Sequence, residues 1–387
     1  MKITVIHHME PSYLTGLVSG LSSEADLEID VIGADRSKNL EGKYSNVNFL
    51  NFRGNQDENA PGLQKIFRIL HYYLKLVIYT LTSNTKIIHI QTINKFLFLD
   101  TTLINLLYKL CGKKIVFTAH NVDYAHRDNK DSFIKRLAMR SMYRLVDHVI
   151  VHNNHSKEMI ISRYNISEKK ISVIKIGINL QVTRNGLSRE TSRELLSISK
   201  IKKVILFFGG FNPYKGIEFL IQAFKLLIDE NRDYLLILAG PARDKAYVDS
   251  LQNLIVQFDL KDYCLAHIEF IPDGEVEKYF MAADCAVLPY KNIFQSGVHV
   301  LSYAFGTPII ATNIGSFKEE IIDGKTGFVC EPENPKELFE KIKLFFNSDL
   351  YFSLDSKRKE INEWAEETFS WKSIGIKTIA VYKDLIS

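Results

Sequence analysis

The sequence predicts an α/β protein made of two doubly wound parallel-sheet domains facing each other across a cleft. Three observations predict it. The 387 residues exceed what one hydrophobic core usually holds, since cores rarely grow past ~250–300 residues. Short apolar runs alternate with longer amphipathic stretches, the pattern of strand–helix–strand units in a parallel sheet. That alternation stops once, near Gly177, where residues 179–192 turn polar and lose any clear period, as an interdomain linker does.

In the first domain, 1–180, apolar β-branched runs predict strands at 3–6, 29–32, 87–90, 115–118, 149–151 and 171–174. Between most of them, amphipathic stretches predict helices over 63–81, 97–110 and 133–146. The second domain, 200–365, repeats the scheme with strands at 204–208, 234–238, 268–271, 285–288, 309–311 and 328–330. Its helices are expected at 217–228, 247–258, 276–282, 298–305 and 336–346. In doubly wound sheets ligands sit beyond the carboxyl ends of the strands, so loops following strands are where chemistry is sought.

Hydrophobic residues make up 46% and charged residues 24% of the chain, ordinary values for a globular protein. No run approaches the ~18 apolar residues of a membrane span. The opening MKITVIHHME lacks a signal-peptide layout and reads as a first strand. Cys111, Cys264, Cys285 and Cys330 are far apart, with no CxxC pair and no zinc spacing. Reduced, buried thiols and a cytoplasmic location are therefore expected. The net charge of +4 is unevenly spread: residues 1–180 hold 24 Lys+Arg against 16 Asp+Glu, and the remainder 25 against 29. Any anionic surface is expected to meet the first half.

Three segments carry candidate chemistry. In the run from Phe207 through Gly216, Gly209 and Gly210 close a strand and let a ligand approach the backbone. Asn212 follows, and Lys215 stands where an ammonium could meet a phosphate. The competing reading is a tight turn with a solvated lysine; GxxxxGK[ST] is absent, so this is not a nucleotide-hydrolase P-loop. In the second segment, Pro289 through Val298, Ser296 is a good N-cap. Gly297 and Val298 then present free N–H groups to an anion at the helix start, with Gln295 beside them. A capped helix with nothing bound is the alternative. The third is Thr118-Ala119-His120-Asn121, which sets His120 at a strand's carboxyl end, either facing a sugar hydroxyl or held structurally by neighbouring backbone.

In this order the segments resemble the retaining family 4 glycosyltransferases of the GT-B fold, two Rossmann-like domains, over nearly the whole chain. Further matches are Lys175 through Asn179, Leu238-Ala239-Gly240-Pro241, Phe280 through Asp284, Gly306 through Thr312, Gly315 through Glu319, and Asp323 through Phe328. Phe369-Ser370-Trp371 and the helix after it resemble the family's last helix, which returns to the first domain, here over 370–387. The Gln295-Ser296-Gly297 sequence is that of one branch of the family.

The resemblance implies a metal-independent hexosyltransferase with no cofactor, whose substrate is a UDP- or GDP-linked sugar. His120 would touch the transferred sugar. Lys215 would neutralise the donor diphosphate as charge develops on it. The amides near Ser296, Gly297 and Val298 would hold the distal phosphate, the backbone of Ile271 would contact the base, and Glu319 matches a recurrent glutamate. No DxD motif is present. The sequence departs from the pattern in three places. Gly210-Phe211-Asn212 lacks the usual Arg, and Ile293 and Leu301 stand where two glutamates are common. A non-catalytic GT-B subunit or scaffold is therefore the alternative reading, and a GT-B epimerase lacks the carboxylates it would need.

The basic half bears on the acceptor. PGLQKIFRILHYYLKLVIYTLT, residues 61–82, and the Lys135, Arg136, Arg140, Arg144 series interleave bases with apolar residues. Ordinary domain helices with one buried face come first as an explanation. Peripheral contact with the inner face of a membrane comes second, and it suits a glycan or lipid-linked acceptor in surface polysaccharide or glycolipid synthesis. No nucleic-acid motif accompanies the charge.

Overall fold

The computed structural model describes residues 1–7, 11–57, 59–94, 96–120, 122, 132–293 and 295–387. Asn121 and Phe294, within the candidate segments above, lie outside the described residues, as do residues 124–131. The chain divides into two compact units, Met1–Gly177 with Ser370–Ser387, and Ile178–Phe369.

The first unit is a wholly parallel seven-stranded sheet in the order β3-β2-β1-β4-β5-β6-β7. Its strands are β1 (Lys2–Ile6), β2 (Glu28–Gly33), β3 (Val47–Asn51), β4 (Ile87–Ile90), β5 (Lys114–Thr118), β6 (His148–Val151) and β7 (Ile171–Val173). The connecting helices include α1 (Pro11–Leu21), α2 (Gly62–Thr82), α3 (Ile104–Leu110), α4 (Phe133–Leu145) and α5 (Asn154–Tyr164). The central strands are buried almost throughout, as they must be with helices on both faces.

The second unit is a parallel six-stranded sheet ordered β10-β9-β8-β11-β12-β13. Its strands are β8 (Lys203–Phe208), β9 (Tyr234–Ala239), β10 (Cys264–His267), β11 (Cys285–Leu288), β12 (Ile309–Thr312) and β13 (Gly327–Cys330). Its helices are α6 (Arg189–Leu195), α7 (Ile217–Glu230), α8 (Lys245–Gln257), α9 (Val276–Ala282), α10 (Gly297–Ala304), α11 (Phe317–Glu320), α12 (Pro335–Phe346), α13 (Asp349–Phe352) and α14 (Leu354–Phe369). The last helix, α15 (Trp371–Ile386), packs on α1 in the first unit.

Several elements differ from expectation. The strand expected at 268–271 lies earlier, as β10, pairing Cys264 with Leu236. It is an edge strand, half-buried with Ala266 exposed, and it carries no β-branched residue to mark it. The polar run 179–192, expected as the interdomain linker, begins just past the division at Gly177/Ile178 and is tied down within the second unit. The Glu277 carboxylate accepts the backbone N–H groups of Asn185 (2.6 Å), Gly186 (2.9 Å) and Leu187 (3.1 Å), and α6 follows. The thiols are unpaired, but Cys111 and Cys264 are only half-buried. No described helix is long and apolar enough to cross a membrane.

Candidate functional site

Both sheets reverse strand order at a topological switch point, β1/β4 in the first and β8/β11 in the second. The loops beyond the carboxyl ends of these strands are where an open α/β sheet binds ligands.

In the second unit the loops after β8, β9 and β11 meet. Gly209 (φ 123°) donates to Ala239 O at 2.9 Å, Phe211 N to Pro241 O at 2.8 Å, and Gly240 (φ 140°) to His267 O at 3.0 Å. A Cβ on Gly240 would lie 2.2 Å from Gly209 O, so this crossing admits only glycine there. Past Gly210 and Asn212, a short turn over Pro213–Lys215 ends at Gly216 (φ 62°), where a Cβ would lie 2.2 Å from Pro289 O. That close fit lets Lys215 reach the loop after β11. Its side chain is buried, with Nζ 3.7 Å from the Tyr290 ring centroid. A desolvated cation on a phenol face gains ~2 kcal/mol.

The loop after β11 ends in Ser296, whose Oγ caps α10 by accepting from Val298 N at 3.2 Å. Gly297 is exposed, and nothing lies within 4 Å of where its Cβ would be. Val298 Cγ2 comes within 3.4 Å of a Cβ built on Gly209, so the α10 start and the glycine turn adjoin. Gln295 is half-buried beside them. Together these residues form an edge of exposed and half-buried positions, with the buried Lys215 ammonium on the Tyr290 ring of the loop that leads into α10, electrostatics that suit a diphosphate.

Ile271 is buried in the core beyond β10. Glu319 is exposed on α11, whereas its neighbour Glu320 is buried with its carboxylate 2.6 Å from His299 Nε2. Ile293 and Leu301 are both buried, and Leu301 packs in the core with Phe280 and Phe305.

In the first unit, His120 follows β5 and sits in a chain of imidazoles that sequence reading did not anticipate. His152 Nδ1 contacts Ile174 O (2.8 Å), and its Nε2 meets His120 Nδ1 (3.0 Å). The Gln91 amide bridges His120 Nε2 (3.0 Å) and His89 Nε2 (2.8 Å), and His89 Nδ1 meets Tyr382 OH (2.5 Å). Burial and the surrounding imidazoles hold His120 well below the usual histidine pKa, and burial pushes His89 down to about 3.

Neutral rings at His120 and His89 constrain the proton order along this chain. A carbonyl only accepts, so His152 donates to Ile174 O and its Nε2 accepts from His120 Nδ1–H. His120 Nε2 then holds a lone pair and must face the amide NH2 of Gln91. The Gln91 amide is placed with its oxygen toward His120, which would require one charged ring. Turned over, it offers its NH2 to His120 and its oxygen to His89 Nε2–H, with Tyr382 donating at the far end. Tyr13 stacks edge-on against His120 at 4.4 Å and against Trp371 at 5.0 Å. The signal in the sequence was the alternation His89-x-Gln91 on one strand face, but the partners come from β5, β6 and α15. Among the described residues no group of three His, Cys, Asp or Glu is placed to hold a metal.

Comparison with known proteins agrees with this architecture. Residues 12–182 match the family model for Glycosyltransferase Family 4, and residues 188–368 that for Glycosyl transferases group 1. D-inositol 3-phosphate glycosyltransferase of Corynebacterium glutamicum is 26% identical over 290 residues, 70% of this chain and 67% of that protein. Spore coat protein SA of Bacillus subtilis is 27% identical over 258 residues, 62% of this chain and 65% of that one. Among solved structures, sucrose-phosphate synthase from Thermosynechococcus elongatus superposes with a TM-score of 0.75 at 17% identity, covering 100% and 99% of the two chains. Anabaena Alr3699/HepE in complex with UDP gives 0.74 at 17%, covering 99% and 100%. At that identity the likeness speaks to the fold, GT-B. With one family model on each unit, the chain belongs to the glycosyltransferases, family 4 in its first domain and group 1 in its second.

Proposed function

We propose that the protein is a retaining, metal-independent hexosyltransferase that takes its sugar from a UDP- or GDP-linked donor held by the second domain. The observation that carries this is the buried Lys215, on the Tyr290 ring of the loop into α10, next in sequence to the glycine turn that adjoins the α10 start. When the bond from the anomeric carbon to the diphosphate oxygen breaks, its electron pair leaves with the diphosphate. Lys215 and the α10 amides are proposed to meet that charge, and a new bond forms to the acceptor hydroxyl oxygen as its proton passes to the departing diphosphate. The Anabaena neighbour was captured with UDP, which supports a UDP-linked donor. His120, at the carboxyl edge of the first sheet, is the group proposed to meet the transferred sugar. The acceptor is proposed to be a lipid-linked glycan of a surface polysaccharide or glycolipid, met at the cytoplasmic face of the membrane.

A second reading, a partner subunit without turnover, is favoured by Ile293 and Leu301, which bury hydrocarbon where a donor's hydroxyls would need acceptors. Calorimetry with UDP and GDP, without added metal, decides between them. Micromolar binding of one nucleotide, lost in Lys215→Ala, is expected. No binding of either would leave the second reading standing.

A further inference from the structure

Beyond β1 and β4, at the switch point of the first sheet, a small notch opens beside the helical turn that leads into α3. Ile6, Ile90, Ile104 and Met142 give it apolar walls, and Asn94 and Asp100 bring polar groups. Its free space is about 20 Å³, room for one water-sized group. Asp100 is held through one oxygen only. Its Oδ1 accepts from Tyr73 OH (2.9 Å) and from Asn94 Nδ2 (3.4 Å), and Asn94 Oδ1 in turn accepts from Arg53 Nη1 (2.5 Å). The other oxygen, Oδ2, is buried and has no hydrogen-bond partner among the described residues. An acceptor left bare in an apolar wall destabilises the fold, so its presence calls for a donor from outside the chain.

The backbone that presents Asp100 is irregular as well. Leu99–Leu103 is π-helical, with Ile104 N–H bonding back to Leu99 O, before α3 resumes ordinary winding. Such single π turns inside helices gather at functional sites. The notch also lies close to His120. Gln91, which contacts His120 at 3.0 Å, stands between Ile90 and Thr92 of the notch wall. Strands β4 and β5 are neighbours, ~4.8 Å apart, so Asp100 and His120 follow adjacent strand ends at the carboxyl edge, where an open α/β sheet takes its ligands.

The geometry points to Asp100 as a recognition residue for the acceptor, its Oδ2 taking a hydroxyl that projects from a neutral sugar or polyol into the notch. The chemistry selects this group. An ionised Oδ2 can only accept, so the ligand atom must be a donor. A phosphate or carboxylate group would be repelled by the carboxylate. An ammonium brings three donors, and the notch offers one bare oxygen among hydrocarbon. A hydroxyl brings one donor and fits the free space, with the C–H groups beside it against Ile90 and Ile104. Naming the ligand as the acceptor rests on the transferase reading; the hydroxyl site itself is testable without turnover.

Asp100→Asn tests that one oxygen. The amide oxygen still accepts from Tyr73 and Asn94, while an NH2 group replaces Oδ2 and meets the incoming donor with another donor. The methyl glycosides of glucose, galactose and mannose are titrated into full-length wild type and variant by saturation-transfer NMR, with thermal melting and UDP binding read on the same samples. At least one glycoside is expected to bind wild type and to lose roughly ten-fold or more in affinity in the variant, the worth of a hydrogen bond to a charged group. The melting temperature should hold or rise, because a bare buried carboxylate oxygen is removed. Binding of none of the three glycosides to wild type, or equal binding to both proteins, would overturn the site. So would a lower melting temperature in the variant, which would make the carboxylate structural. Tighter binding of the methyl glycoside of glucosamine than of glucose would overturn it too, by assigning Oδ2 to an ammonium. UDP binding in the second domain reports separately on the transferase reading: its absence with glycoside binding intact would fail that reading and leave the notch standing.

Discussion

Acidification should destabilise the first domain through His89, and the amount follows from its position. His89 is buried to 1% exposure and accepts from Tyr382 at Nδ1. Burial lowers its pKa to about 3, against ~6.5 for an unfolded histidine. The unfolded chain therefore takes up a proton that the folded one refuses. Stability from this group is complete above pH ~6.5 and is lost as pH falls toward the folded value. Between pH 7.5 and 5.0 the linkage gives a loss of about 2 kcal/mol from His89 alone. Urea unfolding followed by circular dichroism at the two pH values, on wild type and His89→Asn, isolates it. The variant has its own baseline stability, but its loss on acidification should be smaller by about 2 kcal/mol. Equal losses in the two proteins would refute a neutral His89, and with it the proton order assigned to His120.

The same chain predicts that nitrogen NMR will find His120 neutral, with its proton on Nδ1, at pH 7. Gln91→Glu, whose carboxylate only accepts, should draw a proton onto His120 Nε2 and raise its pKa. Lys215→Ala should weaken UDP binding by about 1.5–3 kcal/mol, the worth of a hydrogen bond to a charged group. It should also lower thermal stability measurably, because the contact with Tyr290 is lost; calorimetry reads both. Asp284 is fully buried, bonded by Arg193 at 3.1 Å and by Val204 N at 2.7 Å, with Arg189 also in contact. Asp284→Asn leaves buried guanidinium charge uncompensated and should cost about 3–5 kcal/mol, seen as a melting-temperature drop of roughly 6–20 °C. In Gly20→Ala the new methyl would lie 2.0 Å from Trp371 O. It should cost at least ~1–3 kcal/mol by overpacking α1 against α15, measurable by thermal melting.

The sequence by itself determined the fold class, because period is a local property. Buried parallel strands such as Val204–Phe208 and Ile87–Ile90 announce themselves as apolar β-branched or aromatic runs. The glycines of the β8 turn and the Ser296 cap were legible for the same reason: a turn or a helix start needs a particular residue at a particular place. Elements whose residues answer to distant partners were not legible. Helix α1 carries Gly16 and Gly20, poor helix formers, because Trp371 and Gly375 of α15 press against them. Strand β10, at a sheet edge, carries no β-branched residue. The imidazole chain joins β4, β5, β6 and α15, with His89 and Tyr382 separated by 293 residues, so no spacing could reveal it. Nor could the sequence tell which face of α2 is buried, since both faces are apolar and only packing chooses Leu76 over Leu74. Tertiary structure decided these because burial, proton order and close backbone approach depend on which surfaces meet, and local pattern does not record that.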